Sequence, residues 1–209
     1  TGESYAQANR GAGIWKSTNG GASFSQLSST SGFYYINDMV VRNESGTSVV
    51  YAAVDKAYYS GSWHGSNEGL QRSTNGGSSW SQVMPNVSSS PIVPTDLDIA
   101  SDNQIWVGCG ENSYGNGGGR IYSSTNGTTY SLKYTHSNSG RVNLACAPSN
   151  ANYVYALFES NSELDAVKMT SNDGSSWTTK SEPNDADPGI PASDFTRGQA
   201  WYDLTIDVD

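Results

Sequence analysis

The side chains best suited to chemistry in this 209-residue sequence are carboxylates and aromatic rings that fall at recurring places. Asp38, Asp96, Asn143 and Asp203 each stand near the start of a stretch that reads as a strand. Side by side, their oxygens would form a ring able to hold Ca²⁺ or another hard cation, which takes about 6–8 oxygen ligands. The same side chains could instead bond the backbone of the turns entering those strands. A second acidic set runs Glu182-Pro183-Asn184-Asp185-Ala186-Asp187-Pro188-Gly189, with Asp194 beyond it. Asp185 and Asp187 are its candidate cation ligands, although the spacing is not that of an EF-hand. A solvated acidic loop is the competing reading.

The aromatic set is Tyr58, Tyr59, Trp63 and His64 in one segment and Tyr114 in the corresponding segment further on. Exposed rings stack on sugars or clamp peptides because they offer apolar area with polar edges. Alternatively they pack down and order a long loop. His64 alone says little, since a single loop histidine is commonly just solvated.

Charge narrows the possible partners. The formal net charge is −9, which excludes nucleic acid, a ligand that needs clustered Lys and Arg, and equally an anionic membrane surface. Cations, glycans and peptides remain. No apolar run approaches the ~20 residues of a membrane helix, so no membrane insertion is expected. A basic and apolar leader is also missing, so any targeting signal lies outside this segment or was removed. Cys109 and Cys146 are the two cysteines, equally readable as a bridge or as two buried thiols. The sequence has no Gly-x-Ser-x-Gly elbow, paired-cysteine zinc spacing or phosphate-cradling Gly-x-x-x-x-Gly-Lys. A two-carboxylate glycosidase pair cannot be picked out among 20 acidic residues.

What must position these groups is an all-β scaffold, because Gly, Ser, Thr and Asn punctuate aromatic and β-branched runs. One turn motif recurs four times. Ser17-Thr18-Asn19-Gly20-Gly21-Ala22-Ser23-Phe24 is followed by Ser73-Thr74-Asn75-Gly76-Gly77-Ser78-Ser79-Trp80. Ser124-Thr125-Asn126-Gly127-Thr128-Thr129-Tyr130 comes next, then Thr170-Ser171-Asn172-Asp173-Gly174-Ser175-Ser176-Trp177. The starts are 56, 51 and 46 residues apart, the signature of a repeat architecture. Asn and Gly tolerate positive φ, the Ser or Thr hydroxyl and Asn amide bond backbone N–H groups within the turn, and the final aromatic covers it. The motif is therefore a structural staple.

Strand signals surround each copy in a constant order of four, A to D. Ile36 to Arg42, Ser48 to Val54, Gly69 to Ser73 and Trp80 to Met84 make one set. Asp96 to Ala100, Gln104 to Cys109, Gly119 to Ser124 and Tyr130 to Tyr134 make the next. Arg141 to Ala147, Tyr153 to Phe158, Ala166 to Thr170 and Trp177 to Lys180 make the third. The expected division is a partial blade over 1–30, blades over 31–85, 86–134 and 135–180, and over 181–209 a loop with the first strand of another, Trp201 to Asp209. The repeated turns then join C to D on one face. The opposite face carries the long segments Lys56 to Glu68, Pro85 to Thr95, Glu111 to Gly118 and Ser181 to Ala200, where binding usually resides.

The repeated turn resembles the Asp box, Ser-x-Asp-x-Gly-x-x-Trp, of sialidase-like and sortilin-like repeat proteins and xyloglucanase-type glycosidases, with Asn in place of Asp in every copy. The resemblance implies a β-propeller of four-stranded antiparallel blades with Asp-box C–D hairpins, here an incomplete segment of a larger ring. The alternative is a four-bladed ring closed by pairing the C-terminal strand with the N-terminal one. It is closest to large secreted bacterial propellers, where a stretch like Thr1-Gly2-Glu3 to Gly11-Ala12-Gly13-Ile14-Trp15-Lys16 precedes the box, and so implies type IX export to the exterior or cell surface. Sialidases use three arginines with a Tyr–Glu pair and an acidic proton donor. Arg10, Arg120, Arg141 and Arg197 could all reach the loop face, but the Arg-Ile-Pro string of that family is absent.

The functional expectation is a non-catalytic extracellular propeller that binds a glycan, peptide or protein through the B–C and D–A loop face. A glycoside hydrolase is the alternative. The other expected partner is the remainder of its own propeller or another chain completing it.

Overall fold

The computed structural model describes residues 10–65, 67–183, 188–189 and 195–209. Three four-stranded antiparallel sheets dominate it. Blade I comprises Tyr35–Glu44, Thr47–Asp55, Gly69–Ser73 and Ser81–Gln82. Blade II comprises Val93–Ile99, Ile105–Gly110, Arg120–Ser124 and Ser131–Thr135. Blade III comprises Arg141–Cys146, Val154–Ser160, Glu163–Thr170 and Thr178–Lys180. In each, strand order follows chain order from the innermost strand outward. An N-terminal pair, Trp15–Lys16 with Ser25–Gln26, precedes blade I.

The cores lie between blades. Second strands are buried on both faces, so neighbouring residues serve different cores. Tyr51 and Ala53 of blade I pack toward Ile105, Val107 and Leu97 of blade II, whereas Ala52 and Val54 pack back toward Ile14 and Phe33. Trp106 repeats this alternation in blade II, facing Val142, Leu144 and Phe158 of blade III.

The four recurring turns share one hydrogen-bond pattern. Gly21 N–H donates to Ser17 Oγ at 2.8 Å and Ser23 N–H to Asn19 Oδ1 at 3.0 Å. The Ser73/Asn75, Ser124/Asn126 and Thr170/Asn172 turns repeat it. Gly21, Gly77, Gly127 and Gly174 sit at φ of 89°, 91°, 72° and 73°, where a side chain is strained. Each of the later three turns also leans on the preceding unit. Lys16 Nζ donates to Gly76 O at 3.0 Å, Arg42 to Thr125 O, and Lys133 Nζ to Asp173 O at 2.8 Å.

A carboxylate series stitches the inner strands together. Asp38 and Asp96 follow matching β-bulges at Asn37 and Thr95. Asp38 Oδ2 accepts Leu97 N–H at 2.8 Å, and Asp96 Oδ2 accepts Leu144 N–H at 2.6 Å. These bonds run to the next blade and not to the turn entering each strand.

Two expectations differ from the structure. The stretch Trp201 to Asp209 contains no strand; Ala200–Asp203 is a short helical turn. Ala200 N–H is taken by Ser162 O at 2.9 Å, and Leu204 is buried with Leu157, Leu164 and Val167. The tail therefore lies against the far face of blade III, and Asp203 is an exposed residue at the end of that turn. Two of the long segments are also more regular than loops. Ala57–Tyr59 pairs with Ser62–His64, and Asn86–Val87 with Ser90–Pro91. Among the described residues no helix is long and apolar enough to cross a membrane.

Candidate functional site

At the end opposite the repeated turns, three blades contribute to one cleft of about 220 Å³. Asp55 closes the second strand of blade I, and Glu159 holds the same register in blade III. Gly110 stands between them in blade II, with Glu111 next in the chain. Asn37 and Thr95 come from the two bulges, Arg141 from the inner strand of blade III, Trp63 from the inserted hairpin and Trp201 from the helical turn.

Repeat geometry places these groups, because second strands end at the loop face in every blade. Glycines let the walls approach: a Cβ on Gly140 would stand 2.7 Å from Glu159 Oε2, and one on Gly110 would stand 2.8 Å from Gly140 O. Glu111 N–H donates to Gly140 O at 3.1 Å and Gly140 N–H to Glu159 O at 3.0 Å, so backbone pairing holds this rim.

The cleft is acidic, and among the described residues that line it there is one cation. Arg141 is directed by Asn143 Oδ1, 3.0 Å from its Nε, and by Trp201 O, 3.1 Å from Nη1. Glu159 is buried, and its Oε1 accepts Ser162 N–H at 2.8 Å. Burial pushes the Asp55 carboxyl up to about 6; the Lys56 N–H bonded to it opposes this, and the nearby Glu68 adds to it. Glu68 pairs with Lys56 Nζ at 3.0 Å, while its buried Oε1 has no hydrogen-bond partner among the described residues. Asp96 is raised to about 7, first by burial and also by Asp38 and Asp98, against the Leu144 N–H bond and Arg141.

The aromatic residues singled out in the sequence sit beside the cleft. Tyr58 meets Trp63 edge-on at 5.2 Å, and Tyr59 stacks on His64 at 3.8 Å. Tyr114, 68% exposed, lies with its ring centroid 5.3 Å from Lys56 Nζ, so the loops of blades I and II meet through that lysine. Of the five, Trp63 lines the cleft. His64 Nε2 contacts Ser62 Oγ at 3.0 Å and Tyr59 O at 3.2 Å.

Asp38 and Asp96 each give a carboxylate oxygen to the next blade's backbone, and Asp203 stands apart from both on the tail. Asp185 and Asp187 lie outside the described residues. Among the described residues no group of three or more His, Cys, Asp or Glu could hold a metal ion. Both cysteines are buried free thiols, in blades II and III. Of the four arginines, Arg141 lines the cleft, whereas Arg10 stacks over Tyr34 at 5.2 Å. Asp55, Glu159 and Trp201 escaped sequence reasoning as cleft residues. For the two carboxylates the one signal is position, since Asp55 closes a second strand and Glu159 stands one residue before the end of another.

No family model matches the chain, and no curated protein matches it. Solved structures do. A GH74 enzyme from Niastella koreensis superposes with a TM-score of 0.60 at 26% identity, over 80% of this chain and 26% of that one. A GH74 xyloglucanase from Xanthomonas campestris gives 0.58 at 17% identity, over 84% and 28%. An ancestral GH74 enzyme gives 0.57 at 23% identity, over 84% and 22%. The fold is a β-propeller. This chain spans about a quarter of the length of those similar structures.

Proposed function

We propose that this propeller binds a glycan in the cleft between Asp55, Arg141 and Glu159, with Trp63 and Trp201 as its apolar walls. The observation that carries the reading is the composition of that cleft: two tryptophans and several hydrogen-bonding side chains drawn from three blades. Sugar rings present apolar faces and polar edges, and this lining supplies both partners. The likeness to GH74 enzymes supports a glycan over a peptide or protein ligand. The test is a glycan array probed with the native chain and with Trp63→Ala and Trp201→Ala. Selective capture that both substitutions weaken is expected; capture of peptides alone, or capture indifferent to both, would overturn it.

One observation favours a second reading, a glycoside hydrolase. Asp55, raised to about 6, is a carboxyl able to hold or give up a proton near neutrality, and Glu159 lines the same cleft. Release of reducing ends from a polysaccharide, lost in Asp55→Asn and Glu159→Gln with binding retained, would establish turnover. The repeated turns support an Asp-box propeller, and with it an extracellular bacterial protein exported by the type IX route. Recovery of the protein from culture medium tests that location.

A further inference from the structure

The inner strand of blade I presents apolar side chains that no further strand covers among the described residues. Met39 and Val41 are 46% and 59% exposed. The matching bulges put Asp38 level with Asp96, so Met39 corresponds to Leu97. The Asp38–Leu97 and Asp96–Leu144 bonds extend the series to Leu144. Leu97 and Leu144 are only 5% and 4% exposed. The difference is what lies on top of them.

Leu97 is covered by the hairpin of residues 35–55, and Leu144 by the hairpin of residues 93–110. The same contacts recur at both junctions. A bulge residue donates to the next inner strand: Asn37 Nδ2 to Pro94 O at 2.9 Å, and Thr95 Oγ1 to Val142 O at 2.8 Å. The Asp that follows takes that strand's amide. Apolar residues of the hairpin's second strand then close over the leucine.

On the far side of blade I the receiving half of such a junction stands open. Ile14, Trp15, Leu27 and Trp80 join Met39 and Val41 around an apolar groove of about 180 Å³. Among the described residues, the hydrogen-bond acceptor of Met39 N–H is the Oδ1 of its own neighbour, Asp38, at 2.7 Å. Trp15–Lys16 pairs on one side with Ser25–Gln26, and its other edge has no strand partner among the described residues.

We propose that this groove seats a β-hairpin supplied by a polypeptide segment outside residues 10–209. Its inner strand carries a bulged pair, a polar hydrogen-bond donor followed by Asp, and that Asp accepts Met39 N–H. Its second strand adds to the free edge of Trp15–Lys16 and buries Met39 and Val41. The two junctions inside the chain define the occupant's chemistry, because the groove continues the interface that they already form.

Amide exchange in the whole protein tests this. Met39 N–H should be slowed at least about 100-fold, into the range of Leu97 N–H. Met39→Asp should abolish cross-linking at the groove while Leu97 stays protected, which separates loss of docking from loss of folding. Val41→Cys carrying a benzophenone should cross-link to a segment containing Asn-Asp, Thr-Asp or Ser-Asp. Free exchange at Met39 beside a protected Leu97 would overturn the proposal. So would a cross-link to a second copy of residues 10–209, or to a segment without that dipeptide.

Discussion

Asp96 Oδ2 accepts the backbone N–H of Leu144 in the next blade, at 2.6 Å. Burial nonetheless raises this carboxyl to about 7, so the bond is made at a cost in charge solvation. A carboxyl with a folded pKa above its unfolded value contributes stability that is complete below the unfolded pKa, near 4. That contribution is lost as pH rises through the folded value. The propeller should therefore lose stability between about pH 4 and pH 7, with Asp55, raised to about 6, acting in the same direction. Asp96→Asn retains an acceptor for Leu144 and removes the charge. It should flatten this slope and add on the order of 1 kcal/mol at pH 8, given about 1.4 kcal/mol per pK unit reduced by solvent screening. Urea denaturation across pH 4–8 measures both effects.

The turn glycines differ in what surrounds them. A Cβ on Gly127 would run into Tyr51 Oη and Glu44, and one on Gly174 would lie 3.0 Å from Trp106 and from Lys133. Gly20 and Gly21 face open space. Gly127→Ala should cost about 3 kcal/mol or more through strain plus displacement of the preceding blade, whereas Gly20→Ala should cost about 1 kcal/mol through positive φ alone. Equilibrium unfolding of the two variants tests the difference.

Within the turns, Asn75 Oδ1 accepts Ser79 N–H at 3.0 Å and Ser73 Oγ–H at 3.0 Å. Asn75→Ala removes that acceptor and with it both bonds, and should lower stability by about 1–2 kcal/mol. Ser73→Ala leaves Gly77 N–H, which is buried, without its 2.9 Å partner and should cost a similar amount. A melting-temperature comparison reads out each.

If the cleft binds a glycan, capture should change with an apparent pKa near 6, the value to which Asp55 is raised. Asp55→Asn should remove that step, and Trp63→Ala should weaken binding about tenfold at every pH by removing apolar contact area. Calorimetric titration between pH 5 and 8 distinguishes these two signatures.

Cys109 and Cys146 are buried, and burial pushes both thiols above their usual range. Neither should react with a thiol reagent in the native protein, and both should react once it is unfolded.

The sheets were legible because each strand alternates or runs apolar between Asn–Gly turns, which fixed Gly69–Ser73 to the residue. The tail was not. Trp201 to Asp209 carries a strand-like pattern, but pattern alone says nothing about whether a partner strand is at hand, and Leu204 finds its burial against blade III instead. The cleft was legible by face and not by residue. Trp63 is visible as an aromatic on a long insertion, whereas Asp55 and Glu159 are ordinary acidic residues until register places them level with each other. Asp38 and Asp96 stand at matching positions as the sequence suggests, Asp203 does not, and the bonds of the first two cross to another blade about 50 residues away, a relationship that no local pattern encodes.

The inner carboxylates all point forward along the chain, Asp38 to Leu97 and Asp96 to Leu144. On the ribosome the acceptor of each junction is therefore made before its donor. Until the next inner strand emerges that carboxylate is left to water, and the strand then supplies the backbone N–H that replaces it.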